Sequence, residues 1–261
     1  MEIIDFHTHP YLEDNQYING YSTLGIIGKR KIADKIRRDM ERAGIGHICG
    51  SVIEKGNRMW PGSFTYLRRL NNAAFELREI MGDFYTPGFH IHPWFIQESV
   101  KEIEYMAREG VGLIGELVPY AYGAYSYSSQ GLNEILYAAG AHKMAVSYHS
   151  TDDDNADSML VQHPDVTFVA AHPGEKKRLD GHLDRMMRYQ NVCLDLSGTG
   201  LSRLGALSYG ISKVGAERFL FGTDYPVNNP AMYVQGILYE GLSEADMESV
   251  FYKNAARLVA L

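Results

Sequence analysis

The sequence has 261 residues and a formal net charge of −7, with 25 Lys and Arg against 32 Asp and Glu. This acidic balance without a basic patch argues against nucleic-acid binding, and no apolar run approaches the roughly 18 residues of a transmembrane helix. The N-terminus lacks the basic and apolar regions of a signal peptide, and Cys49 and Cys193 both lie in apolar stretches typical of buried thiols in a reducing compartment. We therefore expect a single cytoplasmic domain spanning residues 1–261.

Short apolar segments alternate along the chain with longer amphipathic ones, as expected for buried strands and surface helices. The predicted strands are Ile3–His7, His47–Ile53, Phe84–Ile91, Gly112–Leu117, Ala145–His149, Thr167–His172, Val192–Leu196 and Arg218–Gly222. The predicted helices are Lys31–Ala43, Phe64–Met81, Gln97–Arg108, Leu132–Ala139, Asn155–Val161, Leu179–Tyr189, Leu201–Val214 and Glu244–Val259. Eight alternating units predict parallel pairing and a closed (β/α)8 TIM barrel of the α/β class. A doubly wound open sheet would usually carry a glycine-rich loop where this chain has HTHPYLEDN.

Histidines and carboxylates recur where the predicted strands end. In this fold the loops after the strands carry the catalytic residues, so these side chains are expected to converge. Imidazole and carboxylate groups are the ligands that a borderline divalent ion such as zinc prefers. The strand-end residues are His7, His9, His90, His92, Glu116, His149, His172 and Asp224.

The spacing of His7 and His9 is the strongest feature of this set. Residues two apart in a strand point to the same side, so both rings are expected to hold one ion. His149 would reach it from across the barrel. Asp224 would complete the site or accept a proton from a metal-activated water, and His172 would protonate a leaving group or polarise a carbonyl.

Each of these residues also has a structural interpretation, because a lone strand-end histidine is more often a hydrogen-bonded core residue. Glu116 fits the metal site but would equally fit a buried ion pair with a Lys or Arg. His90 and His92 belong to an HIHPW segment that fits either a structural turn or, through His92, a substrate contact.

Residues on the loops are expected to bind a small-molecule substrate. Arg58 offers a fork for a carboxylate or phosphate, and Tyr120 is one of several loop aromatics suited to an apolar or cyclic molecule. Asn228 follows the last strand and is expected near the metal. The many exposed aromatics and the family resemblance described next favour a homo-oligomer.

Four segments in chain order, DFHTHP, AHPG, FGTDYP and KNAARLV, resemble the amidohydrolase superfamily, most closely its amidohydrolase-related branch. The resemblance spans nearly the whole chain and implies a barrel with one or two divalent ions, commonly zinc. GFHIHPW also resembles a segment of the TatD branch, and Glu116 resembles the acidic residue that bridges two ions in the TatD and phosphotriesterase-like branches. The metal ligands that the resemblance implies are His7, His9, His149 and Asp224, with His172 as a second-ion ligand or an acid–base.

The leading functional hypothesis is a divalent-metal-dependent hydrolase of an amide, ester or lactone of a small metabolite. One alternative is a zinc-dependent decarboxylase or hydratase acting on an aromatic or unsaturated carboxylic acid. Others are a TatD-like nuclease or phosphoesterase, and a non-catalytic binding protein. The reaction stays open because fold and ligands do not fix it. The metal, the number of ions and the role of Glu116 stay open as well.

Overall fold

The computed structural model describes residues 1–55, 62–150, 153–200 and 202–259. Eight strands alternate with helices. The strands are β1 Ile4–Thr8, β2 His47–Gly50, β3 Tyr85–Phe89, β4 Leu113–Leu117, β5 Ala145–His149, β6 Thr167–Ala171, β7 Val192–Asp195 and β8 Phe219–Leu220. The helices are α1 Lys29–Arg42, α2 Phe64–Met81, α3 Ile96–Arg108, α4 Gln130–Ala141, α5 Asp153–Gln162, α6 Lys176–Arg188, α7 Ala206–Val214, α8 Pro230–Tyr239, α9 Glu244–Glu248 and α10 Asn254–Val259.

Successive strands pair in parallel from β1 to β8. The ends of the sheet meet, because the backbone N–H of Phe6 donates to the carbonyl of Phe221 at 2.9 Å and Thr8 forms a parallel bridge with Tyr225. The predicted (β/α)8 barrel is confirmed. Among the described residues, no helix is long and apolar enough to cross a membrane.

The last third of the chain departs from the predicted helices. Helix α7 begins at Ala206, after a segment in which Gly200 and Gly205 have positive φ angles that no helix adopts. Helix α8 was not predicted, because its sequence PAMYVQGILY is apolar on nearly every face and shows no helical period. The single helix predicted for Glu244–Val259 is divided into α9 and α10 by a π-helical turn at Ser249–Lys253.

Strand irregularities position the site. In the pairing of β1 with β2 the register shifts between Asp5 and Thr8, and in the pairing of β4 with β5 it shifts between Ile114 and Leu117. A bulge of this kind re-aims the side chains that follow it. In β4 the shift includes Gly115, which has a φ of 105° and whose added Cβ would lie 2.3 Å from the Ser147 carbonyl oxygen. Only glycine fits there, and the residue after it is Glu116.

Candidate metal centre

A first group of donor atoms gathers between the ends of β1, β4 and β8. The Nε2 atoms of His7 and His9 lie 3.3 Å apart, and Glu116 Oε2 is 3.8 Å from each of them. Asp224 Oδ1 lies 3.5 Å from His9 Nε2 and 3.9 Å from His7 Nε2. Two imidazoles and two carboxylates thus point at one place, which is the donor set of a divalent-ion site.

A second group shares Glu116 with the first. Glu116 Oε1 lies 2.7 Å from His149 Nδ1 and 3.8 Å from His172 Nε2. Of the described histidines and carboxylates, these groups, His7–His9–Glu116 and Glu116–His149–His172, have the geometry to hold an ion. Glu116 pairs with histidines here rather than with a Lys or Arg, so its predicted place in the metal site fits the structure better than a buried ion pair.

Hydrogen bonds to residues around the first group orient the rings of His7 and His9. His7 Nδ1 donates to Asp195 Oδ2 at 2.8 Å, and His9 Nδ1 donates to the Ser51 carbonyl oxygen at 3.2 Å. Each contact places a proton on Nδ1, so Nε2 is the atom that faces the centre and would bind an ion, which is the usual arrangement around a metal-bound histidine. A small cavity is lined by His7, His9 and Glu116, among other residues. The residues present therefore fit a divalent metal.

The charges of the centre are strongly coupled. Burial lowers the pKa of His7, but the carboxylates of Asp195 and Glu116 outweigh it and raise that pKa to about 10. Burial and the charge of His7 lower the pKa of His9 to about 3. Burial raises the pKa of Glu116, but the charges of His149 and His7 hold it well below its ordinary value. Without an ion, one proton therefore sits on His7, and a bound cation would replace it.

His172 and Asp224 both have left-handed backbones, with φ angles of 70° and 63°. A non-glycine residue there costs about 1–3 kcal/mol unless its surroundings enforce it. The Asp224 N–H donates to the His7 carbonyl oxygen at 2.8 Å. Gly198 packs so closely on His172 that an added Cβ would lie 2.2 Å from its Nδ1. These contacts hold both residues at the ends of their strands.

Exposure separates the floor of the centre from its mouth. The side chains of His7, His9 and Glu116 are 3–5% exposed, while those of Asp224 and His149 are 15% exposed and that of His172 is 12%. Burial also raises the pKa of Asp224 to about 7, against the lowering effect of His7. The predicted catalytic pair, Asp224 and His172, thus lies on the side that a substrate can reach.

The predicted substrate contacts differ in where they lie. Tyr120 is half exposed, and its ring centroid is 5.3 Å from that of His149, so it stands at the mouth. His92 is fully buried; its Nε2 donates to the Tyr122 carbonyl oxygen at 2.6 Å, and its Nδ1 accepts from the Trp94 N–H at 3.1 Å. Both of its nitrogens therefore hold the loops together.

The Asn228 side chain bonds the backbone of its own segment. Its Nδ2 donates to the Thr223 carbonyl oxygen at 3.1 Å, and it lines a cavity of about 490 Å³ together with Asp39 and Arg42. Arg58 lies outside the described residues, and its role stays a prediction.

Asp195, Ser51 and Ser197 are site residues that the sequence analysis did not single out. Asp195 ends β7, and a carboxylate that closes an apolar run, VCLD, is the same signal that marked Asp224 and Glu116. The two serines follow their strands without a comparable signal.

A (β/α)8 barrel with imidazoles and carboxylates converging at the carboxyl ends of its strands is the arrangement typical of metal-dependent barrel enzymes. The amidohydrolase family model matches residues 4–261, and the chain belongs to this family. No curated protein matches the chain in a sequence search.

Solved structures with the same fold include decarboxylases. A 2,6-dihydroxybenzoate decarboxylase in complex with 2,6-dihydroxybenzoate is 16% identical, with 100% of both chains covered and a TM-score of 0.76. The 5-carboxyvanillate decarboxylase of Sphingomonas paucimobilis is 17% identical, with 100% of this chain and 99% of that chain covered and a TM-score of 0.72. A dihydroxybenzoic acid decarboxylase from Polaromonas, with bound manganese and the inhibitor 2-nitroresorcinol, is 15% identical, with 100% and 97% covered and a TM-score of 0.71.

Proposed function

We propose that this protein is a divalent-metal-dependent decarboxylase of a small hydroxylated aromatic carboxylic acid. The observation that carries the proposal is the likeness, over the whole chain, to enzymes whose substrates are acids of this kind. The sequence analysis ranked hydrolysis first and this lyase reaction second. The order is now reversed, and manganese joins zinc as an expected ion.

The residues of the mouth suit such a substrate. Tyr120 presents a half-exposed ring beside His149, and an aromatic acid could stack against that ring. His7, His9 and Asp224, with Glu116 beneath them, would hold the ion. A divalent ion at this place supplies Lewis-acid stabilisation of negative charge on the substrate oxygens.

In the reaction the bond between the ring carbon and the carboxyl carbon breaks and CO2 leaves. The electron pair stays on the ring carbon, which must then take up a proton. Asp224 is the most exposed carboxylate of the centre, and we assign to it the delivery of this proton from its carboxyl group. His172, at the same side of the mouth, would orient the acid and exclude water from the ring carbon.

The proposal is tested with the purified protein loaded separately with Mn²⁺ and Zn²⁺. Incubation with 2,6-dihydroxybenzoate and with 5-carboxyvanillate is expected to release one CO2 per phenolic product, without consumption of water. Model lactones, amides and esters, assayed in parallel, are expected to stay intact. Hydrolysis of any of these by the loaded protein, with no CO2 from the acids, would overturn the proposal.

Hydrolysis is the second candidate, and one observation favours it: Glu116 is shared by both groups of donor atoms. A carboxylate between two ions is typical of metal hydrolases, in which paired ions activate water. Two bound ions would therefore support hydrolysis, whereas a single ion serves either reaction.

We expect wild-type protein to bind one equivalent of Mn²⁺ or Zn²⁺ tightly. In the second group His149 Nδ1 and Glu116 Oε1 bond each other at 2.7 Å, a contact that a second ion would have to break, whereas the Nδ1 contacts of His7 and His9 leave their Nε2 atoms facing the first group. Elemental analysis of protein prepared without chelator measures the content. Two equivalents in wild type that fall to one in Glu116→Ala would instead support a bridged pair and the hydrolase.

Removal of the Tyr120 ring is expected to weaken substrate binding. An aromatic contact of this kind contributes about 0.5–1.5 kcal/mol, so Tyr120→Ala should raise KM for the aromatic acid roughly 2- to 12-fold while kcat changes little. Tyr120→Phe keeps the ring and serves as the matched control. Steady-state kinetics checks this, and an unchanged KM in Tyr120→Ala would place the substrate elsewhere in the mouth.

A further inference from the structure

A buried carboxylate at the end of β7 connects the two sides of the metal centre. Asp195 is fully buried, and its Oδ2 accepts from His7 Nδ1 at 2.8 Å. Its Oδ1 accepts from the Ser197 N–H at 2.9 Å and also from the Ser197 hydroxyl in a short hydrogen bond. The Ser197 oxygen lies 3.1 Å from His172 Nδ1. A continuous path thus joins His7 to His172.

The donors along this path have one consistent assignment. The Ser197 hydroxyl proton is directed to Asp195, so its oxygen is left to accept from His172 Nδ1–H. The carboxylate accepts from His7 Nδ1–H. When each ring is neutral, as it must be to bind a cation, its proton is on Nδ1 and its Nε2 faces the centre as a lone pair.

From this geometry we infer that Asp195 is a positioning residue that fixes the ring orientation and tautomer of both His7 and His172. Its role toward His7 concerns metal binding alone, whereas its role toward His172 rests on the proposed function. Ser197 connects Asp195 to His172.

The packing around Asp195 supports a role toward the site. A buried carboxylate is costly unless its oxygens are fully bonded, and an apolar residue would fill such a place at lower cost. Apart from the Ser197 backbone N–H, its partners are His7 and the hydroxyl that faces His172. Gly222 leaves room for this arrangement, since an added Cβ would lie 2.9 Å from His7 Cβ and 3.1 Å from Ser197 Cβ.

Another buried carboxylate shows the contrast. Asp5 accepts from the Thr223 N–H and hydroxyl and from the His7 backbone N–H. These contacts join β1 to the segment after β8 and bond no ring nitrogen of the centre. Asp195 instead bonds the His7 ring directly.

Asp195→Asn tests the inference while keeping the shape of the side chain. An amide must turn its NH2 group toward either His7 Nδ1 or the Ser197 donors, so one donor faces another and one ring loses its fixed tautomer. The affinity for Mn²⁺ and for Zn²⁺, measured by competition with a chromophoric chelator, is expected to fall 10- to 100-fold. Nitrogen-15 spectra of the histidine side chains, recorded on Zn²⁺-saturated protein, should show the loss of the Nδ1–H form.

Ser197→Ala separates the role of Asp195 toward His7 from its role toward His172. It keeps the contact between Asp195 and His7, so the outer contact of that ligand is intact and metal affinity should stay close to that of wild type. The His172 signals should shift, and kcat should fall while KM does not. This variant also keeps the test decisive if Asp195→Asn does not fold.

Glu102→Gln is the matched control for a buried carboxylate. Glu102 bonds Asn71 at 2.9 Å and Arg68 at 3.3 Å, away from the centre. The Glu102→Gln substitution should lower the melting temperature without a change in metal affinity. The same behaviour in Asp195→Asn, with wild-type histidine spectra, would overturn the inference. Because metal affinity and spectra need no substrate, absence of decarboxylation would contradict the proposed function and leave the His7 result intact.

Discussion

Asp224→Asn is expected to lower kcat for decarboxylation about 10²- to 10⁴-fold, the usual contribution of a positioned acid or base. The amide keeps an oxygen that can face the ion, but it has no proton to give to the ring carbon. Asp224 is the carboxylate of the centre that is most open to the mouth, at 15% exposure against 5% for Glu116. CO2 release by metal-loaded protein under saturating substrate measures the effect.

Two measurements keep this result interpretable. Metal content, determined on the same preparations, shows whether the loss comes from the proton step or from an empty centre. Asp157→Asn is a control on α5, where Asp157 pairs with Arg185 at 2.6 Å, and it should keep wild-type kcat. An Asp224→Asn protein with a full complement of metal and wild-type kcat would contradict the assignment and leave His172 as the proton donor.

The convergence of the donor atoms at the centre was predictable because barrel geometry turns sequence order into spatial order. Once eight apolar runs are recognised as strands, the residue at the end of each run must lie near the same opening. His7, Glu116 and Asp224 each follow such a run, and the structure brings their donor atoms to within 4 Å of one another or of His9. The family match over residues 4–261 agrees with the resemblance.

The hydrogen bonds around the centre were not predictable, because they join residues that lie far apart in the chain. Asp195 is 188 residues from His7, and its role follows from which strand end faces which. The engagement of His92 likewise follows from the path of the loop that carries Tyr122. The missed helix α8 has a simpler cause: without charged residues on one face, its sequence has no amphipathic period to detect.

The reaction was also beyond the sequence, since the same ligands serve hydrolysis and carbon–carbon cleavage. Two ions would favour hydrolysis whereas one ion serves either reaction, and the hydrogen bond from His149 to Glu116, which bears on a second ion, is a property of side-chain packing. The predicted homo-oligomer and the cytoplasmic location stay predictions.

His9→Ala is expected to weaken binding of Zn²⁺ and Mn²⁺ about 100-fold or more, because each of a few ligands supplies several kcal/mol of a binding free energy on the order of 10 kcal/mol. Burial and the charge of His7 keep His9 unprotonated at neutral pH, so its Nε2 binds the ion without releasing a proton.

The same reasoning sets the pH dependence of metal binding. The ion must displace the proton of His7, whose pKa without metal is about 10, so affinity should rise with pH up to that value and fall as protons compete below it. His9→Ala should keep this slope while losing affinity, since His7 remains in place. His47→Ala is the control: His47 bonds the Asp83 carbonyl oxygen and Thr86 far from the centre, and its loss should cost stability alone. Wild-type metal affinity in His9→Ala would remove His9 from the ligand set and leave the ion to Glu116, His149 and His172.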